Sequence, residues 1–353
     1  MRHRHPVRQC WLAVAEIAPE LAWLDRDALL ADEATLRELF GLLVLAHYQT
    51  RPLDLRMLLD GPEVRVLVMR CAGRVVATLL VATEGDMHDP ALRAAIFRGE
   101  RRPRGHLLPQ TLSAHAGLRD APSLRYARVV RLVVHPALTR RGLARRLLVE
   151  LERTARADGI DLLGASFGAT VELLQIWQAC GFAPAQMGTR RNAASGEQAV
   201  VVLRALSDAG AQLLRHAQQR LAFALPVWLA GPLRTLDPQL AALLIAAVPP
   251  DAPVDLPHDW RDEFAAFVAG YRTLAASLPL LAAVTRQQLG AAWRAGRIEL
   301  DAAALLVAVI VQQQPLTDLA PRYGAAGREA LLARVRSLCG ELGAVSRVSS
   351  TGA

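Results

Sequence analysis

The sequence predicts a mixed α/β domain with a central sheet, followed by a mostly α-helical C-terminal domain. Up to about residue 206, short β-rich runs alternate with segments of helical spacing, and strand pairs stand at both ends of that stretch. Beyond Asp208 the apolar residues recur at helical spacing almost to the C-terminus. A chain of 353 residues commonly holds two domains, and 52% hydrophobic residues is ample for their cores.

Residues 1–30 mix apolar and acidic side chains without a clear period and read as an N-terminal extension. The first domain then spans 31–206. Leu36, Leu39, Phe40, Leu43 and Val44 recur at helical spacing behind Asp32 and Glu33, and that helix ends near His47-Tyr48, before Pro52. Val64–Met69 and Val75–Ala82 are β-rich runs joined by Cys71-Ala72-Gly73-Arg74, a hairpin signature. Residues 90–97 read as helix, and an arginine-rich loop follows with Arg98, Arg101, Arg102 and Arg104. The central strand is Ala127–Val134, and the helix beyond the loop that follows it runs to about Ala157. Ile160–Ser166 is a strand, and Val171–Cys180 a helix capped by Gly181. Phe182–Met187 and Ala199–Leu206 close the domain, with Arg190 and Arg191 in the loop between them. The helical region 207–342 is broken at Pro226, at Pro232 and over 249–253, and the small, polar stretch 343–353 reads as disordered.

A net charge of +8 and a pI near 10.2 favour a polyanionic partner such as nucleic acid. The chain contains no lysine, so all 41 Lys+Arg positions are arginine and no Walker-type phosphate loop is present. Cys10, Cys71, Cys180 and Cys339 are far apart, which argues against a metal site or a disulfide framework and for a reducing cytoplasm. No signal-peptide core follows the basic N-terminus, and the most apolar runs are too short to span a bilayer. The reading is a soluble protein with no membrane partner.

Val129–Leu151 carries the clearest functional signal. An apolar strand leads through His135-Pro136 into Thr139-Arg140-Arg141-Gly142-Leu143-Ala144, where a helix begins. Unpaired N–H groups and the positive end of the helix dipole converge there, a geometry suited to pyrophosphate. The flanking arginines add charge that can pair with phosphate oxygens. An ordinary strand–loop–helix connection with solvated arginines is the structural alternative.

Taken with the second half of the domain, this segment resembles the GNAT acetyltransferase superfamily. Gly142 and Ala144 match the family's loop pattern, while Thr139 stands where it usually has Gln or Arg. Closer similarity to bacterial tRNA(Met) cytidine acetyltransferases runs from about residue 20 to 342. It is carried by 46–56, from Ala46-His47-Tyr48 to Arg56, by Arg101–Gly105, Ser166-Phe167-Gly168, Trp177–Phe182 and Met187–Gly196, and by the tail beyond Ser207. The resemblance implies a GNAT fold with a mixed central sheet and splayed parallel strands, and a helical tRNA-binding-like tail. It also implies transfer of acetyl from acetyl-CoA to the exocyclic 4-amino group of cytidine, with the wobble cytidine of elongator tRNA(Met) as the family's target. That family carries a helicase-like ATPase module, which is missing here. A separate helicase-like ATPase subunit is therefore a candidate partner beside tRNA. A fragment, a split subunit and a stand-alone paralogue remain the alternatives for this chain. Other activities left open are a GNAT enzyme for a protein or small-molecule amine, and an inactive RNA-binding remnant.

Carried over by position, the acetyl-CoA contacts are the backbone of Leu132, Val133 and Val134, the loop Thr139, Arg140, Arg141, Gly142, Leu143, Ala144 and Arg145, and Glu172. The dipole of a helix start would favour an acid at Glu172 in any case. A neutral imidazole suits removal of a proton from a poorly nucleophilic amine, which makes His47 the candidate base. A helix-end histidine satisfying carbonyls is its structural alternative. Tyr48 is a candidate proton donor to the leaving thiolate or a stacking surface for a base. His135 reads as structural. Arg98, Arg101, Arg102, Arg104, Arg190 and Arg191 are RNA-binding candidates by charge and forked hydrogen bonding, or else solvated surface.

Overall fold

The computed structural model describes residues 19–45, 63–193, 195–249, 256 and 258–343. They form two compact units, one running to Ser166 and taking in Leu203–Leu214, the other holding Phe167–Val202 and the chain from Arg215. The compact division thus interleaves along the chain.

The first unit is built on β1 (Glu20–Leu24), β2 (Val64–Cys71), β3 (Arg74–Gly85), β4 (Arg125–Val134) and the start of β5 (Leu162–Gly168), in that order, with the end of β7 (Gln198–Ala205) beyond β5. The pairs β1–β2, β2–β3 and β3–β4 are antiparallel, and β4–β5 is parallel. Within the stretch 1–30, read from composition as extension, Glu20–Leu24 form β1 and the helix α1 (Arg26–Ala31) begins. β1 pairs with β2 over Glu20↔Arg70 to Leu24↔Val66 and is exposed or half-buried throughout. The β2–β3 turn is Ala72-Gly73, with φ of +50° and +75°. Two residues at positive φ give the tight hairpin whose twist matches its strands. β3 is buried along most of its length, which explains its apolar run, broken only by Thr78, whose buried hydroxyl donates to the Leu67 carbonyl at 3.1 Å.

Helix α2 (Glu33–Leu45) lays Leu39, Leu42 and Leu43 on Val66, Val68, Val75, Leu80 and Val133. Each such leucine stabilises by about 1.5–3 kcal/mol. Two short helices follow β3, α3 (Pro90–Phe97) and α4 (Leu107–Ala114), and the arginine-rich loop lies between them. Helix α5 (Leu143–Ala157) buries Leu147, Leu148, Leu151 and Ala155, while Glu150–Arg153 and Glu152–Arg156 pairs lie along its polar side.

The second unit contains α6 (Val171–Ala179), β6 (Ala183–Arg191) and most of β7, with β6 beside β7. Trp177 stacks on Phe167 at 5.8 Å and meets Phe182 edge-on at 4.7 Å. Helix α7 (Asp208–Ala230) starts in the first unit and continues in the second. Then come α8 (Pro238–Ala247), α9 (Trp260–Val268), α10 (Leu274–Arg294), α11 (Leu300–Leu306), α12 (Leu316–Arg322) and α13 (Arg328–Gly343). Pro226, expected as a break, lies inside α7. An interior proline costs about 3 kcal/mol, and burial of Leu225 and Leu229 beside it offsets that cost. Every residue from Leu240 to Ile245 is buried, so α8 has no solvent stripe over that stretch. A π-helical turn at Val307–Val311 ends in Gln312, whose buried amide donates to the carbonyls of Leu233 and Leu236 at 3.3 and 2.9 Å. Among the described residues no helix is long and apolar enough to cross a membrane. The expected disordered tail lies outside the described residues, apart from Gly343.

Candidate functional site

The parallel ladder between β4 and β5 runs only from Tyr126↔Leu162 to Val129↔Ala165. β4 continues to Val134, paired on its other side with β3 as far as Ala77↔Val134. The register with β3 shifts between Leu80↔Arg131 and Val81↔Val129, so Val130 is the extra residue of a bulge. The bulge coincides with the point where β4 parts from β5. Leu132, Val133 and Val134 lie beyond it, with Val133 buried and its two neighbours half-buried.

Past β4 the chain makes a single 3₁₀ turn at Pro136–Leu138. His135 belongs to that turn, since its Nδ1 accepts from the Ala137 N–H at 3.3 Å and burial lowers its pKa. This agrees with a structural role. The Thr139 hydroxyl donates to the Pro136 carbonyl at 3.1 Å. The residue that departs from the family loop pattern therefore closes the turn with its side chain.

Arg140 and Gly142 have φ of +61° and +76°, so the loop doubles back as it enters α5. Gly142 is the N-cap and supplies no side chain to the helix start. The N–H groups of the first turn have no partner within the helix. A Cβ built on Gly142 meets nothing within 4 Å, so open space lies in front of that turn. Arg140, Arg141 and Arg145 are exposed around it. An uncapped helix start, open space and three guanidiniums together form a fitting cradle for a diphosphate.

In the second unit, Glu172 is exposed in the first turn of α6, where Thr170 caps the helix by accepting from the Leu173 N–H at 3.3 Å. Arg190 and Arg191, read from sequence as loop residues, are the last two residues of β6. The strand runs longer because β7 supports it, and both side chains are exposed at its end.

The arginine loop divides. Arg98 is the C-cap of α3 and is held by a forked pair to Glu100 at 2.6 and 2.8 Å. Arg104 is exposed, and Arg101 and Arg102 line a cleft of about 560 Å³ with His106, Gln110, Thr111 and Arg128. Beside it lies a buried ion pair. Glu84 accepts from Arg128 with one oxygen and from the Leu108 N–H with the other, the latter at 2.8 Å. His106 Nδ1 accepts from the Gly85 N–H at 2.9 Å. Sequence reading missed Glu84, His106 and Arg128, because β3, β4 and the loop bring them together only in three dimensions.

His47 and Tyr48 lie outside the described residues. Among the described residues no group of three His, Cys, Asp or Glu side chains is arranged as a metal site.

Comparison with known proteins places this geometry in context. Residues 38–155 and 144–207 match the family described as GNAT acetyltransferase 2. The chain is 45% identical over 331 residues to the tRNA(Met) cytidine acetyltransferase TmcA of Nitrosococcus halophilus (strain Nc4), covering 92% of this chain and 44% of that protein. It is 37% identical over 281 residues to TmcA of Yersinia pestis (strain D106004), covering 79% of this chain and 38% of that protein. TmcA of Haloarcula marismortui is 38% identical over 259 residues, covering 73% and 33% respectively. The chain thus spans less than half the length of these relatives.

Proposed function

The chain belongs to the GNAT acetyltransferases, and on that premise we propose that it transfers an acetyl group from acetyl-CoA to the exocyclic 4-amino group of cytidine in RNA, with the wobble cytidine of elongator tRNA(Met) as its target. The observation that carries the reading is the parting of β4 from β5 at the Val130 bulge, directly upstream of the open, arginine-ringed head of α5.

Acetyl-CoA, when bound, supplies a reactive thioester. The backbone of Leu132–Val134 would bind its pantetheine arm as an added strand. A main-chain N–H there would face the oxygen on which negative charge develops, a contribution that grows in the transition state. The N–H groups at Gly142–Arg145 would hold the pyrophosphate, helped by Arg140 and Arg141, with Thr139 shaping the turn and Glu172 as a further contact.

Attack is direct, in a ternary complex. The cytidine nitrogen forms the new N–C bond as the C–S bond breaks. The amine proton goes to a base, for which His47 is assigned from the resemblance, and the departing thiolate takes a proton, for which Tyr48 is the candidate. The arginines at 98, 101, 102, 104, 190 and 191 would hold tRNA by its phosphates. A helicase-like ATPase subunit is a proposed partner.

Incubation with radiolabelled acetyl-CoA and tRNA, with and without such a subunit, tests the reading. The expected outcome is label recovered in cytidine after nuclease digestion. Label in protein or polyamine instead overturns the RNA assignment. No label together with no acetyl-CoA binding leaves an RNA-binding remnant as the answer.

A further inference from the structure

We infer that the cleft formed by the end of α3, the Arg101–His106 loop and α4 seats one phosphate-bearing nucleotide of an RNA strand. This deepens the RNA reading and rests on it. Among the described residues neither the Arg101 nor the Arg102 guanidinium has an ion-pair or hydrogen-bond partner, and both residues line the cleft. The carboxylate beside the cleft, Glu84, is fully buried, with one oxygen taken by Arg128 and the other by the Leu108 N–H. The ion pair cancels its charge, so the cleft's uncompensated charge is that of the two loop arginines.

His106 is oriented for the same task. Its Nδ1 already accepts from Gly85, so in the neutral ring Nε2 carries the proton and is a donor. Ile96, Leu107 and Ala114 supply an apolar wall against which a base could lie. About 560 Å³ is within the range of about 300–1,000 Å³ typical of small-ligand pockets, and a single nucleotide is a ligand of that class. Two arginines, an imidazole donor and an apolar wall are the components that recognise a nucleotide's phosphate and base together.

The test is fluorescence anisotropy of a labelled tRNA transcript over a salt series, with acetyl-CoA binding measured on the same samples by calorimetry. Arg101→Ala and Arg102→Ala should each reduce the slope of log affinity against log salt by about one. Thr111→Glu should weaken RNA binding about tenfold more than Thr111→Gln, since the two differ only in a charge placed in the cleft. Arg37→Ala, at an exposed arginine of α2 paired with Glu33, should bind as the parent does. Unchanged slopes, or equal losses for the Thr111 pair, overturn the inference, the second result marking a merely structural role. Failure of acetyl-CoA to bind the parent protein would instead strike the acetyltransferase reading, while the RNA titration still decides the cleft.

Discussion

Exchanging Gly142 for asparagine and, separately, for aspartate isolates the effect of charge at the head of α5. Both replacements must adopt φ near +76°, which costs roughly 1–2 kcal/mol, and both belong to the residue types that tolerate this region best. Neither clashes, because the space in front of the Gly142 Cβ position is open. Aspartate recovers about 0.3–1 kcal/mol from the helix dipole, so its variant should be at least as stable as the asparagine one. Ligand affinity should move the other way. A carboxylate about 5 Å from a phosphate charge repels it by about 1 kcal/mol in bulk water and about 3 kcal/mol at an effective dielectric constant of 20. Affinity for acetyl-CoA should therefore be about fivefold to two-hundredfold lower for Gly142→Asp than for Gly142→Asn. Calorimetry at low and raised salt reads the difference, which should shrink with salt, and chemical denaturation checks stability. Equal affinities at low salt would refute the assignment of this loop to a pyrophosphate.

Further predictions address other parts of the chain. His47→Ala should lower acetyl transfer while leaving acetyl-CoA binding intact; unchanged turnover removes His47 as the base. Glu84→Ala strands the Arg128 charge in a buried setting and should destabilise by about 3–5 kcal/mol in urea titration, against a smaller loss for Glu84→Gln, which keeps an oxygen for the Leu108 N–H. Burial pushes the Cys339 thiol from its ordinary value of 9.0 up to about 12. Burial thus holds the protonated form in the fold, so this contribution is fully present below pH 9 and is lost as pH rises toward about 12. Cys339→Ala should flatten that part of the pH–stability curve.

The elements most legible in the sequence were those whose local chemistry and packing agree. The Ala72-Gly73 turn announces its hairpin, and the spacing of Leu147, Leu148, Leu151 and Ala155 announces α5. The loop at Thr139–Ala144 is legible in the sequence as the turn into a helix, with Gly142 at its N-cap, while its assignment to a pyrophosphate belongs to the proposed function. β1 was not legible: an edge strand with no buried residue shows no alternation to detect. Helix α4 was hidden by Pro109 in its first turn, where proline is compatible with a helix but reads as a breaker. Pro226 misled for the same reason, since its cost is offset by burial that sequence does not display. The cleft at Arg101 and Arg102 escaped notice because Glu84, His106 and Arg128 come from separate segments. His47 and Tyr48 rest on the resemblance alone.

The bulge at Val130 has a consequence for how this strand can vary. Successive residues of a strand offer their N–H and C=O groups to opposite edges, so the inserted residue resets the phase of everything downstream. Deleting Val130 would set Val129 and Arg131 side by side opposite Val81 and Leu80, so Leu132, Val133 and Val134 would keep their partners on β3 while the strand lost its local bend and added twist. A single-codon loss here would straighten β4 at the point where it parts from β5, a change of course that point substitutions along the same strand do not make.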